Sequence, residues 1–180
     1  MKKLKQSFTG LLLPLHSVAT RYLARIGAVC YANAQAACTS FKTELLNGIH
    51  ALGTTVVRGG TGADVFKGAL FLASGSRGAA TTVYSVTDEV SGAGYSAGGV
   101  TFTWIAPSAT GTTAFSTPSA SLTWTTVTLA TAFDAVLLYN STQASKAVSV
   151  HTFGSQTLTA GNFTLTMPTN DSTTGLLRLA

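Results

Sequence analysis

Short runs in which apolar side chains alternate with threonine or serine recur along this chain, and they constrain its fold more than any other feature. Val100, Phe102 and Trp104 are spaced by Thr101 and Thr103, Val148 and Val150 by Ser149, and Phe163, Leu165 and Met167 by Thr164 and Thr166. A period of two is the period of a β-strand with one face buried, because successive side chains leave a strand on opposite sides. Leu122 and Trp124 keep one phase and Val127 and Leu129 the other, so the shift at Thr125-Thr126 predicts a bulge. Ala135–Tyr139 is apolar throughout and is expected to lie centrally, covered on both faces. Val65–Ala73, Thr81–Val86 and Leu176–Leu179 complete a set of seven or eight short strands.

Helical spacing precedes them. Ser40 is the expected N-cap, with Phe41, Leu45, Leu46 and Ile49 on one face through about His50. One helix followed by strands and turns predicts a mainly β fold: an antiparallel β-sandwich or barrel-like sheet with one N-terminal helix laid against it. The low-complexity segment Ala106–Ser121 is read as a long exposed loop or arm. No internal repeat is visible.

Composition narrows the function classes. The 180 residues suit one domain with its own core, and 46% hydrophobic residues exclude general disorder. Charged residues are only 9%, against roughly 25% in an average soluble domain. A surface so poor in charge suits a protein covered by neighbours. The net charge of +5 is unevenly spread: Lys2, Lys3, Lys5, Arg21, Arg25 and Lys42 all precede the first acid, Glu44. From Thr43 onward five bases face six acids, a balance of −1, so the body has no clustered Lys and Arg for nucleic acid. No apolar run reaches the ~20 residues of a membrane span.

Residues 1–33 read as a basic, acid-free extension or leader, and 34–180 as a single β-rich structural domain. Three origins fit the extension. A secretory signal would use the three early lysines and the small-x-small site Ala32-Asn33-Ala34, but Arg21 and Arg25 fall before that site. An organelle transit segment would also be basic and acid-poor. A translated lead upstream of the domain is the third. The extension's apolar stretch Phe8–Leu15 is broken by Pro14, and a second stretch carries Val18, Tyr22, Ile26 and Cys30 at helical spacing.

The residue types that carry chemistry are scattered. Cys30 and Cys38 form no CxxC and read as two free thiols. His16, His50 and His151 lie far apart, with no ligand spacing for a metal, and His50 reads as a surface or helix-end histidine. The glycine-rich stretches Gly59–Gly62 and Ser91–Gly99 lack the strand-before, helix-after context of a phosphate loop; the second is followed by a strand and reads as a turn beside Tyr95. Asp88-Glu89, the one close acid pair, reads as a solvated turn. The Asn-x-Ser/Thr triplets at Asn140, Asn162 and Asn170 carry meaning only in a secreted eukaryotic protein. No catalytic residue, cofactor or metal is therefore expected, and the chain reads as a non-enzyme.

Several pieces in order carry a family likeness: AQAACTSFKTELLNGIH (34–50), DVFKGALFLAS (64–74), TTVYSVTDEVSGAGYSAGGVTFT (81–103), ASLTWTTVTLATAFDAVLLYN (120–140), KAVSVHTFGSQTLTAGNFTLTMP (146–168) and GLLRLA (175–180). From Ala34 on, the chain resembles a family of small virion structural proteins of tailed bacteriophages. That family usually starts near the position of Ala34, which favours the reading of residues 1–33 as an added lead. It usually has an acidic stretch where AFSTPSAS (114–121) stands here. The resemblance implies a location in the virion, as a head decoration or a tail or neck accessory. Its implied partners are other virion proteins of capsid or tail and further copies of itself, with no nucleic acid, no membrane and no catalytic residues. Thr164 and Thr166 are the expected interface row. The alternative is a secreted β-sandwich adhesin or carbohydrate-binding module, for which Trp104 and Trp124 would be the aromatic platform.

Overall fold

The computed structural model describes residues 32–53 and 63–180, and in it most of the alternating runs become strands. The order is β1 (Ala36–Ala37), α1 (Thr39–Leu46), β2 (Phe66–Leu72), β3 (Val100–Phe102), β4 (Ser108–Thr110), β5 (Thr113–Ser116), β6 (Leu122–Asn140), β7 (Lys146–Leu165) and β8 (Leu177–Leu179). Every strand pairing is antiparallel. One sheet runs β1-β7-β6-β2-β3 and a second β4-β5-β8. The fold is mainly β with one short N-terminal helix, as the alternation predicts. The readings of residues 1–31, and of Gly59–Gly62, lie outside the described residues. Asn33 belongs to the folded body: its amide donates to the Leu72 carbonyl at 3.0 Å and to Asp134 Oδ1 at 2.5 Å.

α1 is shorter than its periodicity suggests. Cys38, not Ser40, is the N-cap, and the helix stops at Leu46. Gly48 takes φ +65°, the left-handed conformation that commonly ends helices, and the Ile49 N–H donates back to the Glu44 carbonyl at 2.9 Å. Ile49 and His50 therefore leave the helix.

Two pairs of runs that read as separate strands are each continuous. β6 is one strand of 19 residues and β7 one of 20. The bulge expected at Thr125-Thr126 is present: the register slips between Trp124 and Val127, and Thr126 has φ +53°. A bulge re-phases side chains without ending the pairing. Leu122 and Trp124 before it, and Val127, Leu129 and Phe133 after it, all reach the core. Ala135–Tyr139 is buried at the centre, between β2 and β7, as expected.

Two segments differ from expectation. Thr81–Val86 is not a strand: its ladder pairing is a single bridge from Val83 to Lys146, and Tyr84 packs on Tyr139. Val83 and Val86 are exposed, so Tyr84 is the side chain the segment packs on the core, and β1 occupies the adjoining edge of β7. Ala106–Ser121 is not a loop: it holds the β4–β5 hairpin, whose turn begins at Gly111 with φ +59°. Phe115 anchors it, buried, and β8, the last strand expected at Leu176–Leu179, pairs with it, so two runs too weak to read singly make a sheet with a third.

Candidate functional site

Two buried polar clusters hold many of the titratable groups, and each is assembled from distant parts of the chain. The first joins Glu44 on α1, His50 beyond it, Asp64 before β2, Asn140 at the end of β6 and Lys146 at the start of β7. Lys146 Nζ donates to Glu44 Oε1 at 2.6 Å, and Glu44 Oε2 lies 2.8 Å from His50 Nε2. Asn140 Nδ2 is 3.2 Å from His50 Nδ1 and donates to Asp64 Oδ2 at 2.7 Å. An amide nitrogen only donates, so Nδ1 accepts and the His50 proton sits on Nε2, aimed at Glu44. Both ring nitrogens thus face groups of the protein itself. His50 is buried, which corrects the reading of a surface histidine. Its position follows from the helix ending early. Burial raises the Glu44 carboxyl, but hydrogen bonds from Lys146 and His50 outweigh it and hold it below its ordinary value.

His151 on β7 is pushed down by burial from 6.5 to about 4. Both His151 and Glu44 have folded values below their unfolded ones. Their stabilisation is complete above the unfolded value and is lost as pH falls through the folded one. The melting temperature should therefore drop as pH falls from 6.5 towards about 4, on account of His151, with Glu44 adding to the loss only below 4.5. Calorimetry of the wild type and of His151→Gln across pH 7 to 3.5 checks this. The variant should lose the upper part of the decline and keep the lower, and an unchanged slope above pH 4.5 would contradict the assignment.

The second cluster centres on Glu89. Asp88 takes φ +58°, and Glu89 turns inward to 8% exposure, so this acid pair is not the solvated turn expected. Glu89 Oε2 accepts from the Tyr84 hydroxyl at 2.6 Å, and Oε1 from the Tyr95 hydroxyl and the Gly98 N–H, both at 2.7 Å. The Tyr139 hydroxyl donates to the Gly98 carbonyl at 2.8 Å, and its ring stacks on Tyr84 at 4.5 Å. Burial and then hydrogen bonding to Glu89 push Tyr84 and Tyr95 well up; burial and then the Glu89 charge push Tyr139 up to about 12. All three are neutral donors near pH 7. The cluster pins the glycine-rich loop Ser91–Gly99 onto the sheet, and the Gly98 N–H that a phosphate could have used is spent on Glu89.

The remaining candidates resolve in the same way. Cys38 is a buried free thiol, pushed up to about 11 mainly by burial, a poor nucleophile. Cys30 and His16 lie outside the described residues. Trp104 and Trp124 are buried in the core, Trp104 edge-on to Phe66 and Trp124 against Phe163, so neither offers a face to a sugar. No helix among the described residues is long and apolar enough to cross a membrane.

What faces outward is the polar row of the β6–β7 pair. Thr164 and Thr166 are exposed, and Thr164 sits opposite Thr123 with their hydroxyl oxygens 3.1 Å apart. Phe163, one residue away, is buried. From Val90 to Asn170 only Asp134 and Lys146 carry charge, and these are paired with Asn33 and Glu44. Neither polar cluster has a sequence signature. Glu89 lies five residues from Tyr84 and nine from Gly98, a spacing that means nothing until the loop folds back. Compared with known proteins, the chain matches no family model, no curated protein and no solved structure.

Proposed function

We propose that this protein is a non-enzymatic structural component of a tailed bacteriophage particle, assembling by repeated protein–protein contacts as a head decoration or a tail or neck accessory. The observation that carries the proposal is the outer surface of the long β6–β7 pair. Beyond its two-residue pairing with β1, β7 is an edge of its sheet among the described residues, and natural sheets guard such edges with lysines, prolines and inward charges. Here residues 147–167 contain no charged residue and no proline, and the exposed positions are threonine, serine, glycine, alanine, Gln156 and Asn162. That surface suits contact with neighbours better than a free life in solution. The inward-facing chemistry agrees, since both polar clusters fasten loops to the sheet. The ordered resemblance from Ala34 onward supplies the class of particle.

Mass spectrometry of purified virions from a host lysate tests the proposal. The chain is expected among the particle proteins, and recombinant protein is expected to be oligomeric or to bind particles lacking it. Absence from the particle would end this reading.

A further inference from the structure

Of the five asparagines in the chain, Asn47 alone precedes a glycine, and it lies exposed at the C-cap of α1. Gly48 has no side chain to crowd its amide, and the space beside it is open, since a Cβ there would meet nothing within 4 Å. Such a glycine nitrogen can attack the carboxamide carbon of the asparagine before it and close a succinimide ring. In the folded turn two features hold these atoms apart. Asn47 has ψ 3°, which places the Gly48 nitrogen beside the Asn47 backbone nitrogen and away from its side chain, and the Gly48 N–H donates to the Leu45 carbonyl at 3.0 Å. The Ile49 N–H closes the same turn on the Glu44 carbonyl at 2.9 Å. Asn140, by contrast, is fully buried, with its amide held at both ends.

We infer that Asn47 is a deamidation site of the folded protein, reached only when the last turn of α1 opens. Helix ends are among the least protected parts of a fold, so the open turn is populated. There the Gly48 nitrogen gives up its proton and bonds to the Asn47 Cγ. The Cγ–Nδ2 bond breaks, and the departing nitrogen takes up a proton and leaves as ammonia. Water then opens the succinimide at either carbonyl, leaving an aspartyl or an isoaspartyl residue, with no change of oxidation state. Either product places a negative charge at a helix C-terminus, three residues beyond Glu44, and both neighbours disfavour it. The isoaspartyl form also lengthens the backbone by one carbon where the Gly48 and Ile49 hydrogen bonds close the helix. Conversion is therefore one-way and loosens the end of α1. The inference goes beyond the particle reading and does not depend on it.

Peptide mapping by mass spectrometry tests it on the purified full chain, aged in mildly alkaline buffer with and without urea. Isoaspartyl and aspartyl products are expected at position 47 in both samples. The native sample should convert more slowly by about tenfold or more, because two hydrogen bonds must break before the atoms meet and the rate follows the population of the open turn. Asn47→Gln, at an exposed position, should leave the fold intact and remove the products. Equal rates with and without urea would mean that the turn does not hold the reaction back. Conversion in urea with none in native buffer would mean that the folded protein never presents the site. An isoaspartyl yield unchanged in Asn47→Gln would place the reaction at another asparagine. Each of these three results would overturn the inference.

Discussion

Phe163→Ala should lower stability by about 3–5 kcal/mol or prevent recovery of soluble protein, while Thr164→Ala, one residue further on, should change it by well under ~1 kcal/mol. Phe163 is 7% exposed and its ring lies 4.7 Å from Phe153, 5.3 Å from Phe133 and 5.7 Å from Trp124. Truncation would leave a cavity where two long strands and three rings meet. Folding leaves only ~5–15 kcal/mol in hand for a typical domain, so a loss of that size is severe. Thr164 points the other way, and its hydroxyl meets that of Thr123 at an exposed position. Urea denaturation of both variants decides the matter. Equal destabilisation would mean that both faces of this stretch are buried, and the outward threonine row would no longer exist as a contact surface. A Thr164→Ala protein that melts normally but no longer joins the particle would identify Thr164 as part of the contact.

Gly99→Ala is expected to be as damaging as Phe163→Ala, for a different reason. Gly99 has φ +71°, and a Cβ there would lie 1.8 Å from the Gly68 carbonyl oxygen and 2.7 Å from the Ala69 Cα. Both obstacles are backbone of β2, which is paired on both sides, to β6 and β3, so relief would require moving the strand or lifting the glycine-rich loop. Lifting the loop would also pull Gly98 from Glu89 and Tyr139. Gly111→Ala is the control. Its φ is +59° but nothing lies within 4 Å, so only the conformational cost remains, roughly 1–2 kcal/mol. For a domain of this size that is a fall of about 2–8 °C in melting temperature. Similar melting temperatures for the two variants would mean that the loop is free to move off β2, contrary to the close approach of Gly99 to Gly68 and Ala69.

The legible parts of the fold were those whose signal is local. Phase along Leu122–Leu129 located the bulge, because a re-phased strand must still bury Leu122, Trp124, Val127 and Leu129 on one side. The unbroken apolar run Ala135–Tyr139 located the central strand for a similar reason. Segment length was misread where bulges intervened: alternation breaks at a bulge as it does at a strand end, and only pairing with a neighbour distinguishes them. Thr81–Val86 shows the opposite error, since β-branched and aromatic residues favour a strand only where a sheet edge is open to receive them.

The candidate sites divide along the same line. The sequence by itself determined the class of fold, the scarcity of charge across the second half, and the alternation that turns Thr164 and Thr166 away from Phe163. These depend on which residue types stand at which spacing, and a strand reads spacing directly. Tertiary structure alone decided that Glu44, His50, Asp64, Asn140 and Lys146 meet and that Glu89 turns inward between Tyr84 and Tyr95. Those groups lie up to 102 residues apart in their hydrogen bonds. A contact over that distance is set by the register of the strands between, and no local pattern along the chain encodes it.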